Sequence, residues 1–241
     1  SVCEENLLWI EKESAAFDQV TIYNKCGGVN NLSPLKDIRN LQVVQMPNVG
    51  SADGAYLRHI TTHYEQLAKF TVFCKGNNKI SPSFLLWQLV LNHKKTNYTI
   101  PGSFICPYNN PVHPALRFAS CFRLKTYKSF RNNPGRSEHF HQYKGREGTM
   151  GDWLIEVFGN NNITEQFFAM SKARNGQFCR EGYFAATRET IQKHPRYVYT
   201  AIHEMQQFAN EEIDHYMERL WESLMLFPWS IECWAERDSD S

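Results

Sequence analysis

The order of the apolar segments between residues 20 and 76 constrains this chain more than any other feature. Val20 to Tyr23 is β-branched and aromatic and runs into Asn24-Lys25-Cys26-Gly27-Gly28, a strand ending in a glycine turn. Leu41 to Met46 reads as a second short strand, stopped by Pro47-Asn48-Val49-Gly50. From Ser51, the residues Ala55, Tyr56, Ile60, Tyr64 and Leu67 recur at three- and four-residue steps, which predicts one face of an amphipathic helix. Phe70 to Cys74 then reads as a buried strand ending at Lys75-Gly76. Alternation of strand, helix and strand predicts an α/β domain of the nucleotide-binding kind.

The rest of the chain is expected to complete that domain. Ser81-Pro82 predicts a further helix start. Residues 97–151 are rich in Asn, Pro, Gly and basic side chains, a long irregular insertion of the sort that binds ligand or covers a site. Gly182 to Thr187 reads as a short strand leading into a helix at Arg188. Pro195 breaks that helix and is expected at the first position of the next, which carries Val198, Ala201, Ile202, Met205 and Phe208. Ile213 to Phe227 predicts the last strong helix, with Tyr216, Leu220, Leu224 and Phe227 on one stripe. The expectation is one domain over 1–234 and an acidic tail over 235–241.

Charge narrows the function classes. Lys and Arg total 26 against 25 Asp and Glu, so nothing suggests a nucleic-acid coat. The near-neutral total hides a basic segment, Arg117 to Arg146, with eight Lys/Arg and one acid, Glu138. It also hides an acidic one, where Glu211, Glu212, Asp214, Glu218 and Glu222 surround Arg219. An anionic ligand meeting carboxylates in one cleft would use both, and two solvated faces would look the same. The apolar stretch Ile80 to Leu91 is interrupted and too short to span a bilayer.

The seven cysteines contain no C-x-x-C pair, which argues against a zinc ribbon, while Cys106 and Cys121 could bridge a loop. Asn97-Tyr98-Thr99 and Asn162-Ile163-Thr164 are glycosylation sequons. They matter in a secretory lumen, the expected location if an upstream signal or anchor was removed; the cytoplasm is the alternative.

Several blocks together carry a family resemblance. Glu5-Asn6-Leu7-Leu8-Trp9, Ile22-Tyr23-Asn24-Lys25, Pro47-Asn48-Val49-Gly50, Tyr56-Leu57-Arg58-His59-Ile60, Phe73-Cys74-Lys75-Gly76, Gly182-Tyr183-Phe184-Ala185-Ala186-Thr187-Arg188 and His215-Tyr216-Met217-Glu218-Arg219-Leu220-Trp221 stand in an order that resembles the uncharacterised DUF3431 family. That family in turn resembles the GT-A glycosyltransferases. The resemblance implies a single GT-A-like nucleotide-binding domain with a mixed, mainly parallel central sheet flanked by helices. It implies transfer of a sugar from a nucleotide-sugar donor to a glycan or glycoprotein hydroxyl. A carbohydrate- or protein-binding module that kept the GT-A-like fold and lost catalysis is the alternative.

In such a domain the donor lies at the carboxyl ends of the strands, where backbone N–H groups face phosphate. The donor-side residues are then Asn6, Asn24, Lys25, Asn48, Gly50, Lys75 and Gly76. Gly182, Thr187, Arg188 and Arg219 fall on the acceptor side, although Thr187 also suits an ordinary helix cap. The departure from the GT-A pattern is at Lys75-Gly76-Asn77-Asn78, where an Asp-x-Asp would hold a divalent cation against the leaving diphosphate. The literal Asp238-Ser239-Asp240 lies in the tail and is no metal site. Without such a site the leaving charge falls to Lys25, Lys75 and the basic segment; Mn2+ or Mg2+ accompanying the donor is the cofactor for which the resemblance leaves room.

Proton removal from the acceptor needs a carboxylate. Asp214 and Glu218, four apart on the last helix, share a face, with Arg219 beside them to orient the base or a phosphate. Glu218 is favoured because it stands in a resembling block; a surface carboxylate paired with Arg219 or His215 is the plainer reading. His59 and His63 have the i,i+4 spacing of metal ligands, but Ile60 occupies the position of a zinc-protease glutamate. His59 therefore reads as a histidine supporting the site from behind. His139-Phe140-His141 is a weaker candidate for phosphate or metal, and Trp9, Trp87, Trp153 and Trp229 are candidates for stacking a sugar or base.

Overall fold

The computed structural model describes residues 7–26, 35, 37–76, 104–105, 124–126, 148–172, 182–206 and 212–226. Asn6, the helix expected from Ser81-Pro82, His139-Phe140-His141, Cys106 and Cys121, the Asn97 sequon, Asp238-Ser239-Asp240 and most of the 97–151 insertion lie outside these residues.

The chain enters through a short helix α1 (Leu8–Glu13) that the sequence pattern did not predict. Strand β1 (Val20–Asn24) pairs in parallel with β2 (Leu41–Gln45), in register from Val20 opposite Leu41 to Asn24 opposite Gln45. β1 is buried toward its carboxyl end, whereas β2 is largely solvated, as an edge strand. Helix α2 (Ser51–His63) follows, and β3 (Phe70–Phe73) returns.

β3 joins a second sheet of order β3-β5-β4, in which β5 (Phe184–Thr187) lies between β3 and β4 (Phe104–Ile105) and runs antiparallel to both. The architecture is mixed α/β. Parallel pairing, expected to predominate, is confined among the described residues to β1 and β2. The apolar run Phe184 to Thr187 is buried at every position, and a run of that kind reports burial of both faces without reporting strand direction.

Helices cover the sheets. α3 (Met150–Phe158) begins at a capping box, in which Asp152 N–H donates to Thr149 Oγ1 at 3.1 Å and Thr149 N–H donates to Asp152 Oδ2 at 2.6 Å. α4 (Asn162–Lys172) follows directly. Both were missed by periodicity, although Thr149-x-x-Asp152 was a legible start signal. α5 (Arg188–Ile191) is capped by Thr187, and α6 (Arg196–Glu204) starts after Pro195, which is the N-cap residue and not the first helical one. α7 (Glu212–Leu226) closes the described chain.

The main core packs α2, α3, α6 and α7 against β3 and β5 through Tyr56, Ile60, Trp153, Phe184, Ile202 and Trp221. Tyr56 is its aromatic hub, with ring centroids 5.2 Å from Phe73, 5.8 Å from Phe184 and 6.2 Å from Trp221. Contacts at this spacing each add roughly 1 kcal/mol beyond area burial, so the hub fixes α2 and α7 relative to the sheet. No helix among the described residues is long and apolar enough to cross a membrane.

Candidate functional site

The strand directions bring the carboxyl ends of β1 and β3 and the amino end of β5 to one rim. Phe73, the last residue of β3, pairs with Phe184, the first of β5, so Lys75 and Gly182 emerge together. Lys25 follows the end of β1, and the turn after β2 leads through Gly50 into the first turn of α2. α7 contributes Asp214, His215, Glu218, Arg219 and Trp221.

Asp53 is the residue around which this rim is organised, and the sequence reading did not select it. It sits in the first turn of α2, where a carboxylate is favoured by the helix dipole, and it is 1% exposed. Trp221 Nε1–H donates to Asp53 Oδ1 at 2.6 Å. Burial pushes the Asp53 carboxyl up to about 6, against the opposing pull of Lys75, the Trp221 N–H and Lys25. The charges of Lys25, Lys75 and Glu218 therefore all act on one buried oxygen pair. The signal available in sequence was only an acid at the start of a helix; its partner stands 168 positions away.

The two lysines are held differently. Lys25 is buried and its ammonium donates to the carbonyls of Val49 and Ser51. Desolvation lowers its pKa to about 8, with Asp214 and Asp53 working the other way. Lys75 stands nearer solvent, 3.7 Å from Glu218 Oε1. Glu218 Oε2 accepts from Arg219 Nη1 at 3.0 Å and lies 3.9 Å from His215 Nδ1. Arg219 Nη1 also donates to the carbonyl of His215 at 2.8 Å, and burial lowers the pKa of His215. Asp214, on the same helix, is buried and its charge reaches Lys25.

Gly182 has φ +71°, and a Cβ there would stand 3.5 Å from Asp53 Oδ1 and 3.6 Å from the Lys75 side chain. Gly76 is buried beside Lys75 and lines a cleft of about 140 Å³ between α1, β1 and β3, together with Trp9, Val20, Val72 and Cys74. That volume is below the usual range for a whole small-molecule site and suits a single ring. Trp9 Nε1 is buried with no hydrogen-bond partner among the described residues.

Other expected site residues fall elsewhere. Gly50 does need its left-handed φ of +61°, but the group close to it is the Gln206 side chain. Asn24 is buried at the end of β1, and Asn48 is exposed in the turn after β2. Thr187 and Arg188 are at the opposite end of β5 from Gly182, roughly 10 Å along the strand. Thr187 there accepts from Thr190 N–H at 3.2 Å as a buried helix cap, and Arg188 N–H donates to the carbonyl of Lys69. The structure thus gathers Gly182 and Arg219 from the acceptor-side set and leaves Thr187 and Arg188 out.

His59 lies in a second cleft between β1 and β3, where its Nδ1 is 3.0 Å from the Tyr23 hydroxyl and burial lowers its pKa to about 4. Its contacts are Tyr23, His63 and Phe73, so it supports the strands and not the charged cluster. Among the described residues no group of three His, Cys, Asp or Glu side chains is placed to hold a metal ion. At the rim itself the cation between the carboxylates is already Lys75, so the donor set does not fit Mn2+ or Mg2+, and a phosphate would meet lysine and arginine there. The chain matches no family model, no curated protein and no solved structure.

Proposed function

We propose that this chain is a GT-A-like glycosyltransferase of the kind suggested by its resemblance to the DUF3431 family. It moves a sugar from a nucleotide-sugar donor to a glycan or glycoprotein hydroxyl without an Asp-x-Asp metal site. The observation that carries the reading is the meeting of Lys25, Lys75, Asp53 and Glu218 where β1 and β3 end. Ligands of open α/β sheets bind beyond the carboxyl ends of strands, and anions there need fixed cations.

In the reaction, the acceptor oxygen forms a bond to the anomeric carbon as the bond from that carbon to the donor phosphate oxygen breaks. The electron pair leaves on the diphosphate, whose charge Lys75 and Lys25 offset. The hydroxyl proton goes to Glu218, the carboxylate of α7 nearest solvent in this cluster. The cleft at Trp9 receives the base or the sugar ring.

A panel of nucleoside diphosphates titrated with and without Mn2+ tests the reading. Binding should be insensitive to the metal and should weaken about 10- to 100-fold in Lys75→Met, the loss expected for a charged hydrogen bond. No binding of any nucleotide at millimolar concentration would sink the donor site. One observation favours the non-catalytic module: Lys25 is spent on two backbone carbonyls and Lys75 on Glu218. Glycan binding with no donor turnover, unchanged by Glu218→Gln, is the result that selects it.

A further inference from the structure

We propose that Glu218 is the internal occupant of an anion site built by Lys75 and Arg219, and that the incoming donor diphosphate displaces it. The inference rests on the donor-site reading above and adds an order of events to it.

Each cation has a second hold besides Glu218. Lys75 is attracted from behind by Asp53, which is fixed in turn by the Trp221 N–H. Arg219 is braced by the carbonyl of His215, one turn back on α7. The glutamate itself is held loosely on one side: at 3.7 Å, Lys75 Nζ and Glu218 Oε1 are beyond hydrogen-bond length. The side chains of Lys75, Glu218 and Arg219 are 21%, 15% and 15% exposed, so solvent and ligand reach all three. Partly exposed ion pairs of this kind are weak, whereas a diphosphate brings more charge and several acceptor oxygens to the same donors.

The exchange has a mechanistic result. While Glu218 is paired with two cations its carboxylate oxygens face Lys75 and Arg219, and the phosphate that takes those cations frees the oxygens to meet the acceptor hydroxyl. Donor must therefore bind before acceptor deprotonation can start, which guards against a base active in an empty site.

Calorimetric titration of inorganic pyrophosphate and of nucleoside diphosphates into the wild type, Glu218→Gln and Glu218→Ala tests this. Removing the internal competitor should tighten pyrophosphate binding about fivefold in both variants, the equivalent of one exposed ion pair. Two variants are used so that a folding defect in one does not decide the result. Unchanged or weaker pyrophosphate binding in both, with nucleoside diphosphates still bound by the wild type, overturns the exchange and leaves the donor site standing. If neither ligand binds any of the three proteins, the donor site fails and the exchange fails with it.

Discussion

Asp53 is a carboxyl group kept in a place where its charge is costly. Its folded-state pKa of about 6 stands above the ordinary 3.8, so the folded chain holds this proton more tightly than the unfolded chain does. The residue therefore carries no ionisation penalty below pH 3.8 and costs stability progressively as pH rises through about 6, to a maximum of about 3 kcal/mol. Asp53→Asn removes that dependence while keeping an oxygen for the Trp221 N–H. Urea midpoints of the two proteins should diverge between about pH 4 and pH 7, the variant gaining on the wild type. Parallel curves would show that Asp53 is ionised without penalty.

The same residue marks the limit of sequence reading. Lys25, Lys75 and Glu218 were legible because charged groups at strand ends and on one helix face are conspicuous by position. Asp53 was not, since an acid in a first helical turn has an ordinary local explanation. Only folding places Trp221 against it.

At the scale of elements, the caps of α3 and α5 separate local from tertiary effects. Thr149 caps a nine-residue helix at a partly solvated end, whereas Thr187 caps a four-residue helix within the core. Helix length alone would make Thr149 the more important. Burial reverses the order, because Thr187→Ala removes its hydrogen bonds to the N–H and hydroxyl of Thr190 in a place shielded from water. Thr149→Ala should cost about 1 kcal/mol and Thr187→Ala about 2 kcal/mol or more in denaturant unfolding. Equal costs would count against burial as the deciding factor.

Elements were legible where one local rule sufficed. β1 and α2 start where the apolar pattern puts them, β2 and β3 end one residue earlier than read, and α2 ends at His63, before the Tyr64 and Leu67 counted on its face. α3 and α4 were hidden inside or beside a segment whose composition pointed to a loop, and the antiparallel course of β5 needs a partner strand to define it.

For the molecule as a whole, Cys26 is disulfide-bonded, whereas Cys74 is a thiol that burial pushes up to about 12. A disulfide just after β1 ties the Lys25 turn by a covalent link, and such links stabilise a fold by about 2–4 kcal/mol. Reduction should lower the melting temperature by several degrees, and a thiol reagent should label Cys26 only after reduction. Labelling of Cys26 in the untreated native protein would remove the link from the account.

β1 and β3 belong to different sheets, and each delivers one lysine to Asp53, which α2 holds. Asp53 is therefore a gauge of the spacing between the sheets. If the gap widens while Asp53 stays buried, at least one cation recedes and the carboxyl takes its proton at a higher pH; if a ligand draws the strands together, it lets the proton go. The titration midpoint of a single buried side chain thus measures how far apart the two halves of the sheet system stand.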